Sequence, residues 1–131
     1  MKAEKVITYL LTNDSALNAV VADEKIYPGY IPLNTALPAI AYNSISAFPT
    51  KEIGMSNMLK TVRIEVTVQT KSYSQQKSVM QLIRAACDAK QGTISGVDVD
   101  SCLADLEGPD MRDDDAGIYM QTQDFIIKFR E

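Results

Sequence analysis

The sequence predicts an α+β fold, a mostly antiparallel sheet of four to five strands with two or three helices packed on one face. Three observations support this fold. Apolar and polar residues alternate strictly over residues 61–69, which is typical of a strand with one buried face. Apolar residues recur at helical spacing near the N-terminus and again over residues 79–86. The links between these elements are short, which favours antiparallel neighbours.

In the N-terminal part, an amphipathic helix is predicted by Ala3, Val6, Ile7, Leu10 and Leu11. After a break and cap at residues 13–15, residues 16–22 predict a second, shorter helix. Residues 26–32 are expected to be extended, and residues 38–46 to form a strand. The segment 47–57 contains Pro49 and Gly54 and has neither periodicity, so we expect a long loop or a projecting hairpin tip.

In the strand 61–69, the side chains expected in the core are Val62, Ile64, Val66 and Val68. A helix is expected to begin after Tyr73-Ser74 and to end near Gly92. Two strands around a Ser95-Gly96 turn are predicted over residues 93–106. An acidic loop then covers 107–116, and a closing strand covers 117–130.

The length of 131 residues fits one domain over residues 1–131, and a hydrophobic fraction of 46% is enough for a core. The net charge is −4, and the 13 lysines and arginines are scattered, which argues against a protein that binds nucleic acid through a basic surface. No apolar run approaches the roughly 20 residues of a membrane-spanning helix. The N-terminus lacks the cleavage site of a signal peptide.

The sequence offers no support for an enzyme. It contains no histidine, which removes the commonest general base and most zinc sites. No glycine-rich phosphate-binding motif occurs. Cys87 and Cys102 lack CxxC spacing and basic neighbours, so both are interpreted as structural thiols. We therefore predict no catalytic residue, no cofactor and no metal.

The acidic residues Asp110, Asp113, Asp114 and Asp115 leave two interpretations open. They form either a solvated loop or a surface with an electrostatic role in an assembly. A calcium site does not fit, because the alternation and the distal glutamate of an EF-hand loop are missing.

Two regions are candidates for contact with a partner or with other copies of the chain. The first contains Phe48, Ile53, Met55 and Met58, which either fold back onto the sheet or form an interface tongue. The second is the closing strand, where Phe125 and Ile127 lie in a stretch with apolar residues on both faces. A neighbouring subunit or a bulge would explain that pattern.

The order of these elements resembles the small tail completion, or tail terminator, proteins of long-tailed bacteriophages and prophages. The resemblance covers nearly the whole chain. It is carried by the N-terminal helix followed by Ile26-Tyr27-Pro28, the strand entry at residues 37–42, the alternating strand 62–68, the helix around residues 81–84, and the closing Gly117-Ile118-Tyr119 and Asp124-Phe125.

The resemblance implies a ring, usually a hexamer, that caps the head-proximal end of the tail tube and mediates head–tail joining. The implied partners are other copies of the chain, the tail tube protein and the head connector or head-completion protein. DNA would pass through without specific binding, and Asp113, Asp114 and Asp115 would face the lumen. The implied location is the virion, after assembly in the cytoplasm of a bacterial host. The alternatives are a neighbouring neck component, such as a connector or head-closure protein, and a cytoplasmic small-ligand-binding α+β domain.

Overall fold

A computed structural model describes residues 2–50 and 59–130. Three α-helices, one 3₁₀ turn and seven strands follow one another along these residues. In chain order they are α1 (Lys2–Thr12), α2 (Ser15–Asn18), the 3₁₀ turn (Asp23–Lys25), β1 (Ile26–Pro28), β2 (Ala39–Thr50), β3 (Leu59–Thr70), α3 (Tyr73–Cys87), β4 (Lys90–Ile94), β5 (Val97–Glu107), β6 (Met111–Asp113) and β7 (Ile118–Arg130).

The strands form one mixed sheet in the order β1-β2-β3-β7-β5-β4, and β6 also pairs with β7. The α+β class is confirmed, and the strand number is corrected. The sheet has seven strands rather than four or five, because β1 and β6 each add a three-residue strand. The sheet is mostly antiparallel, and the exception is β1, which runs parallel to β2. Strands of three residues leave too short a pattern to be recognised in a sequence.

β7 is the central strand. One of its edges pairs with β3 from Tyr119 to Arg130. Its other edge pairs first with β6, at residues 118–120, and then with β5, at residues 123–130, so these two partners lie end to end along one long strand. The predicted closing strand is therefore confirmed, beginning one residue later than expected.

The core lies between the helices and the side of the sheet that holds the alternate residues of β3. Val62, Ile64, Val66 and Val68 are buried there, as predicted. They pack in one cluster with Ile7 and Leu11 of α1, Leu17 of α2, and Val79 and Ile83 of α3. We call the opposite side of the sheet the helix-free face.

The helix boundaries follow local chemistry. The Ser72 hydroxyl accepts a hydrogen bond from the Gln75 amide at 3.2 Å and so caps α3 at its start. The predicted stop at Gly92 is wrong, because α3 ends at Cys87 and the left-handed position beyond it is Ala89, with φ of 56°. Gly92 lies instead within β4. The second predicted helix is shorter than expected and is capped by Asp14.

The segment 47–57 is corrected in its first part. Residues 47–50 are not loop but the end of β2, which pairs with the start of β3 as far as Thr50 and Leu59. The ends of β2 and β3 therefore form two antiparallel arms, while residues 51–58 lie outside the described part of the chain. Among the described residues, no helix is long and apolar enough to cross a membrane.

Candidate assembly surfaces

The two thiols are not reactive groups. Cys87 and Cys102 are both free and fully buried. Burial raises the pKa of the Cys102 thiol to about 12, and it raises the pKa of the Cys87 thiol well above its ordinary value. A thiol that stays protonated at neutral pH is a poor nucleophile. Within residues 2–50 and 59–130, no group of three or more acidic or thiol side chains is arranged to hold a metal ion.

The predicted contact residues fall into three groups. Phe48 is 57% exposed near the end of β2, as a contact residue must be. Ile53, Met55 and Met58 lie in the segment 51–58, outside the described residues. Phe125 and Ile127 are 0% exposed and belong to the core cluster, so their predicted role as contact side chains is corrected. Both face the helices, because they pair with the inward-facing Ile64 and Val62.

The outer edge of β2 is one exposed feature. β1 pairs with β2 only from Ile40 to Tyr42, and no other described strand lies along this edge. Beyond it, all the side chains of residues 44–48 are exposed. They include Ile45 at 50% and Phe48 at 57%. We call Ile45 and Phe48 the β2 edge patch.

The outer edge of β5 is a second one. β4 pairs with β5 only as far as Cys102, so residues 103–107 have no described strand on that side. Leu103 and Leu106 are 49% and 62% exposed there. We call Leu103 and Leu106 the β5 edge patch. This patch is absent from the predicted contact residues, and its indication in the sequence is the pair of leucines in a strand that also carries Asp105 and Glu107.

Across the middle of the helix-free face runs a group of charged residues from the three central strands. Arg63 of β3 contacts Asp105 of β5 at 2.6 Å and Asp124 of β7 at 3.0 Å. Both hydrogen bonds raise the pKa of the Arg63 guanidinium. Glu65 is paired in register with Asp124. Partial burial and, secondly, the Asp124 charge raise the pKa of the Glu65 carboxyl.

The acidic segment is more ordered than a plain loop. Asp113 ends β6, and its carboxylate accepts hydrogen bonds from the amides of Asp115 and Ala116 at 3.1 and 3.2 Å. Asp114 pairs with Arg112 at 3.0 Å. These aspartates are exposed and form a tight turn into β7. Since β7 has 13 residues, this turn and the arms of β2 and β3 lie at opposite ends of the sheet, about 40 Å apart.

Asp110 belongs to a different environment from the other three aspartates. Its carboxylate accepts hydrogen bonds from Lys77 Nζ at 2.6 Å, Tyr73 Oη at 2.7 Å and Gln76 Nε2 at 2.9 Å. The Lys77 bond first, then the Tyr73 bond, lowers the pKa of Asp110. This set ties the break between β5 and β6 to the first turn of α3. Asp110 is therefore a structural residue.

An apolar loop lies beside the acidic turn. Tyr30 and Leu33, in the connection between β1 and β2, are strongly exposed. Together with Asp113 and Ile118 they line a groove of about 410 Å³. This end of the sheet therefore combines exposed apolar side chains with acidic ones.

Comparisons with known proteins agree with this architecture. The model of the family described as "Tail completion protein gp17" matches residues 5–130. A solved chain described as "Virion of native gene transfer agent (GTA) particle" has the same fold, with a TM-score of 0.78 over 96% of this chain and 92% of that chain, at 12% sequence identity. No curated protein sequence matches. Because the family model covers almost the whole chain, this protein belongs to the tail completion protein gp17 family.

Proposed function

We propose that this chain forms a ring, most simply of six copies, that closes the head-proximal end of a phage tail and joins it to the head. The observation that carries the proposal is the match to the tail completion family over residues 5–130. A family of that description supplies a structural part of a bacteriophage tail, and its activity consists of binding. On this account the chain acts as a component of the virion and catalyses no reaction.

The shape of the protomer supports an assembly with two unlike ends. The arms of β2 and β3 lie at one end of the sheet, and the acidic turn with Tyr30 and Leu33 lies at the other. In a ring with rotational symmetry, every copy has the same orientation relative to the axis. All the arms therefore lie on one face of the ring, or all along one rim. One face can then match the tail tube while the other meets the head connector.

The acidic character supports passage of DNA without retention. The net charge of −4 gives the chain no general attraction to phosphate. We place Asp113, Asp114 and Asp115 at the lumen of the ring as part of the proposal. Carboxylates at that position would repel DNA phosphates at distances up to about 10 Å at moderate salt.

A gene-disruption experiment tests this function. Particles produced without this chain are expected to accumulate filled heads and unattached tails, and adding the purified chain to the two fractions should restore joining. Without a protein that stops the tube, the tails should also vary in length, because subunits can still add to the open end. Tails of uniform length that fail to join would favour the neck component instead. Normal, infectious particles would contradict both.

A further inference from the structure

The two long edges of the sheet carry different apolar patches. The β2 edge patch (Ile45 and Phe48) and the β5 edge patch (Leu103 and Leu106) are separated by the central strands β3 and β7. Three strand spacings put them roughly 14 Å apart across the sheet. No described strand pairs beside either patch, although the Asp88 carboxylate accepts a hydrogen bond from the Ala104 amide of the β5 edge at 2.8 Å.

The β2 edge is unusual because it carries no charged side chain that would oppose pairing with another chain. Edge strands of soluble proteins are commonly protected by charged side chains, and residues 43–50 contain none. Its protecting features are Pro49 and the β-bulge between Ser44 and Ser46. An exposed, uncharged edge with two large apolar side chains indicates a surface that is covered in the working state.

The β5 edge has charged residues, but their charges are already paired within the chain. Asp105 contacts Arg63 at 2.6 Å, and Glu107 contacts Arg84 at 3.3 Å. A partner that packs on Leu103 and Leu106 therefore meets no unpaired carboxylate from these two positions. The β5 edge can consequently accept an uncharged surface such as the β2 edge.

One residue of each patch, Phe48 and Leu103, lies on the same side of the sheet. Phe48 pairs in register with Thr61 and Leu103 with Ile126. Thr61 and Ile126 belong to the helix-free face, since each neighbours an inward-facing residue, Val62 or Ile127. A second copy placed beside the first in the same orientation brings Phe48 of one copy and Leu103 of the next to the same side of the joint.

We propose that copies of this chain join head to tail, with the β2 edge patch of one copy packed against the β5 edge patch of the next. Unlike surfaces on one protomer produce a ring when the rotation closes, whereas a patch that met itself would stop at a dimer. This inference rests on the proposed function for the closure of the ring, but the joint itself can be tested on the purified chain.

Cross-linking between single-cysteine variants tests the joint. Phe48→Cys and Leu106→Cys are each made in the full chain, mixed at high concentration, and treated with a short bis-maleimide. The native Cys87 and Cys102 are buried and should not react. Tyr9→Cys, on α1 and 46% exposed, is the matched control. Phe48→Cys should cross-link to Leu106→Cys at least fivefold faster than either variant cross-links to itself. It should also do so at least fivefold faster than either variant cross-links to the Tyr9→Cys control.

Three other cross-linking results would each contradict the proposed joint. Equal rates, or no cross-linked product, would overturn the joint. Faster linking of Phe48→Cys to itself would replace it with a symmetric dimer. As a second measurement, Ile45→Glu in the Phe48→Cys partner, or Leu103→Glu in the Leu106→Cys partner, should abolish the cross-link, with circular dichroism unchanged. If the joint is present but tails still complete without the chain, the proposed function fails while this inference stands.

Discussion

Arg63 and Asp124, 61 positions apart in the sequence, meet at 3.0 Å on the helix-free face. Asp124 is only 6% exposed, and Arg63 also reaches Asp105 of the next strand. A carboxylate held away from water is costly unless it is paired. One guanidinium therefore links β3, β7 and β5 and makes the sequence Asp124-Phe125 compatible with a central strand.

Replacing Arg63 by Met should destabilise the fold, because it leaves Asp124 buried without its cationic partner. We expect the melting temperature to fall by about 4 °C or more at neutral pH. Arg112→Met is the control, since Arg112 pairs with an exposed Asp114 and should change little. Equal melting temperatures for the two variants would show that the Arg63 pair contributes no more than a surface pair.

Glu65 should make the protein less stable as the pH rises. The pKa of Glu65 is raised in the folded state. At a pH between its unfolded-state and folded-state pKa, the folded chain therefore keeps a proton that the unfolded chain has lost. Stability from this group therefore falls as the pH rises from the unfolded pKa through the folded one. Glu65→Gln should raise the melting temperature at pH 7 by about 1–2 °C, and the difference should vanish below about pH 4. A difference that grew in acid would contradict this sign.

Gly108 is required by close packing rather than by its backbone angle. Its amide donates a hydrogen bond to the Thr122 carbonyl at 2.8 Å, and a Cβ at this position would overlap Thr122 Oγ1. Gly108→Ala should therefore cost about 1–3 kcal/mol in the free energy of unfolding.

A double variant separates this overlap from other effects of the substitution. Adding Thr122→Ala removes the overlapping oxygen and should recover most of the loss in a denaturant titration. If the double variant were as unstable as the sum of the two single variants, the proposed overlap would not be the cause.

The sequence predicts a helix or strand correctly where its periodic pattern runs over many residues. The strand around Val62 to Val68 and the helix beginning at Tyr73 were found because their side chains alternate or repeat over many residues. The N-terminal helix was found for the same reason. Such patterns report burial on one side of an element directly.

The features that the sequence did not predict depend on contacts between residues that are distant in the chain. The parallel pairing of β1 with β2 requires knowledge of the return path through residues 29–38. Apolar residues on both sides of Phe125-Ile126-Ile127 predict an outer contact or a bulge, but helices cover one side and Ile126 lies between Arg63 and Leu103 on the other. The two leucines of the β5 edge patch are visible in the sequence, but their position on an uncovered edge follows from the short length of β4.

Because Phe125 is buried in the core, truncating its side chain should reduce the stability of the fold. Phe125→Ala is expected to cost about 3–5 kcal/mol in unfolding free energy, enough to unfold much of the protein at physiological temperature. Phe48→Ala, which truncates an exposed ring of the same type, should cost well under 1 kcal/mol. A stable Phe125→Ala variant that failed only in assembly would restore the surface interpretation of that residue.

The most direct test of the account is the position of the chain on an isolated tail. A gold-labelled copy, carrying its tag at the N-terminus, is incorporated during assembly and viewed by electron microscopy. The account predicts label at one end of each tail, the end that meets the head, with a ring of density there and none along the tube. Label distributed along the tube, or confined to the opposite end, would contradict it.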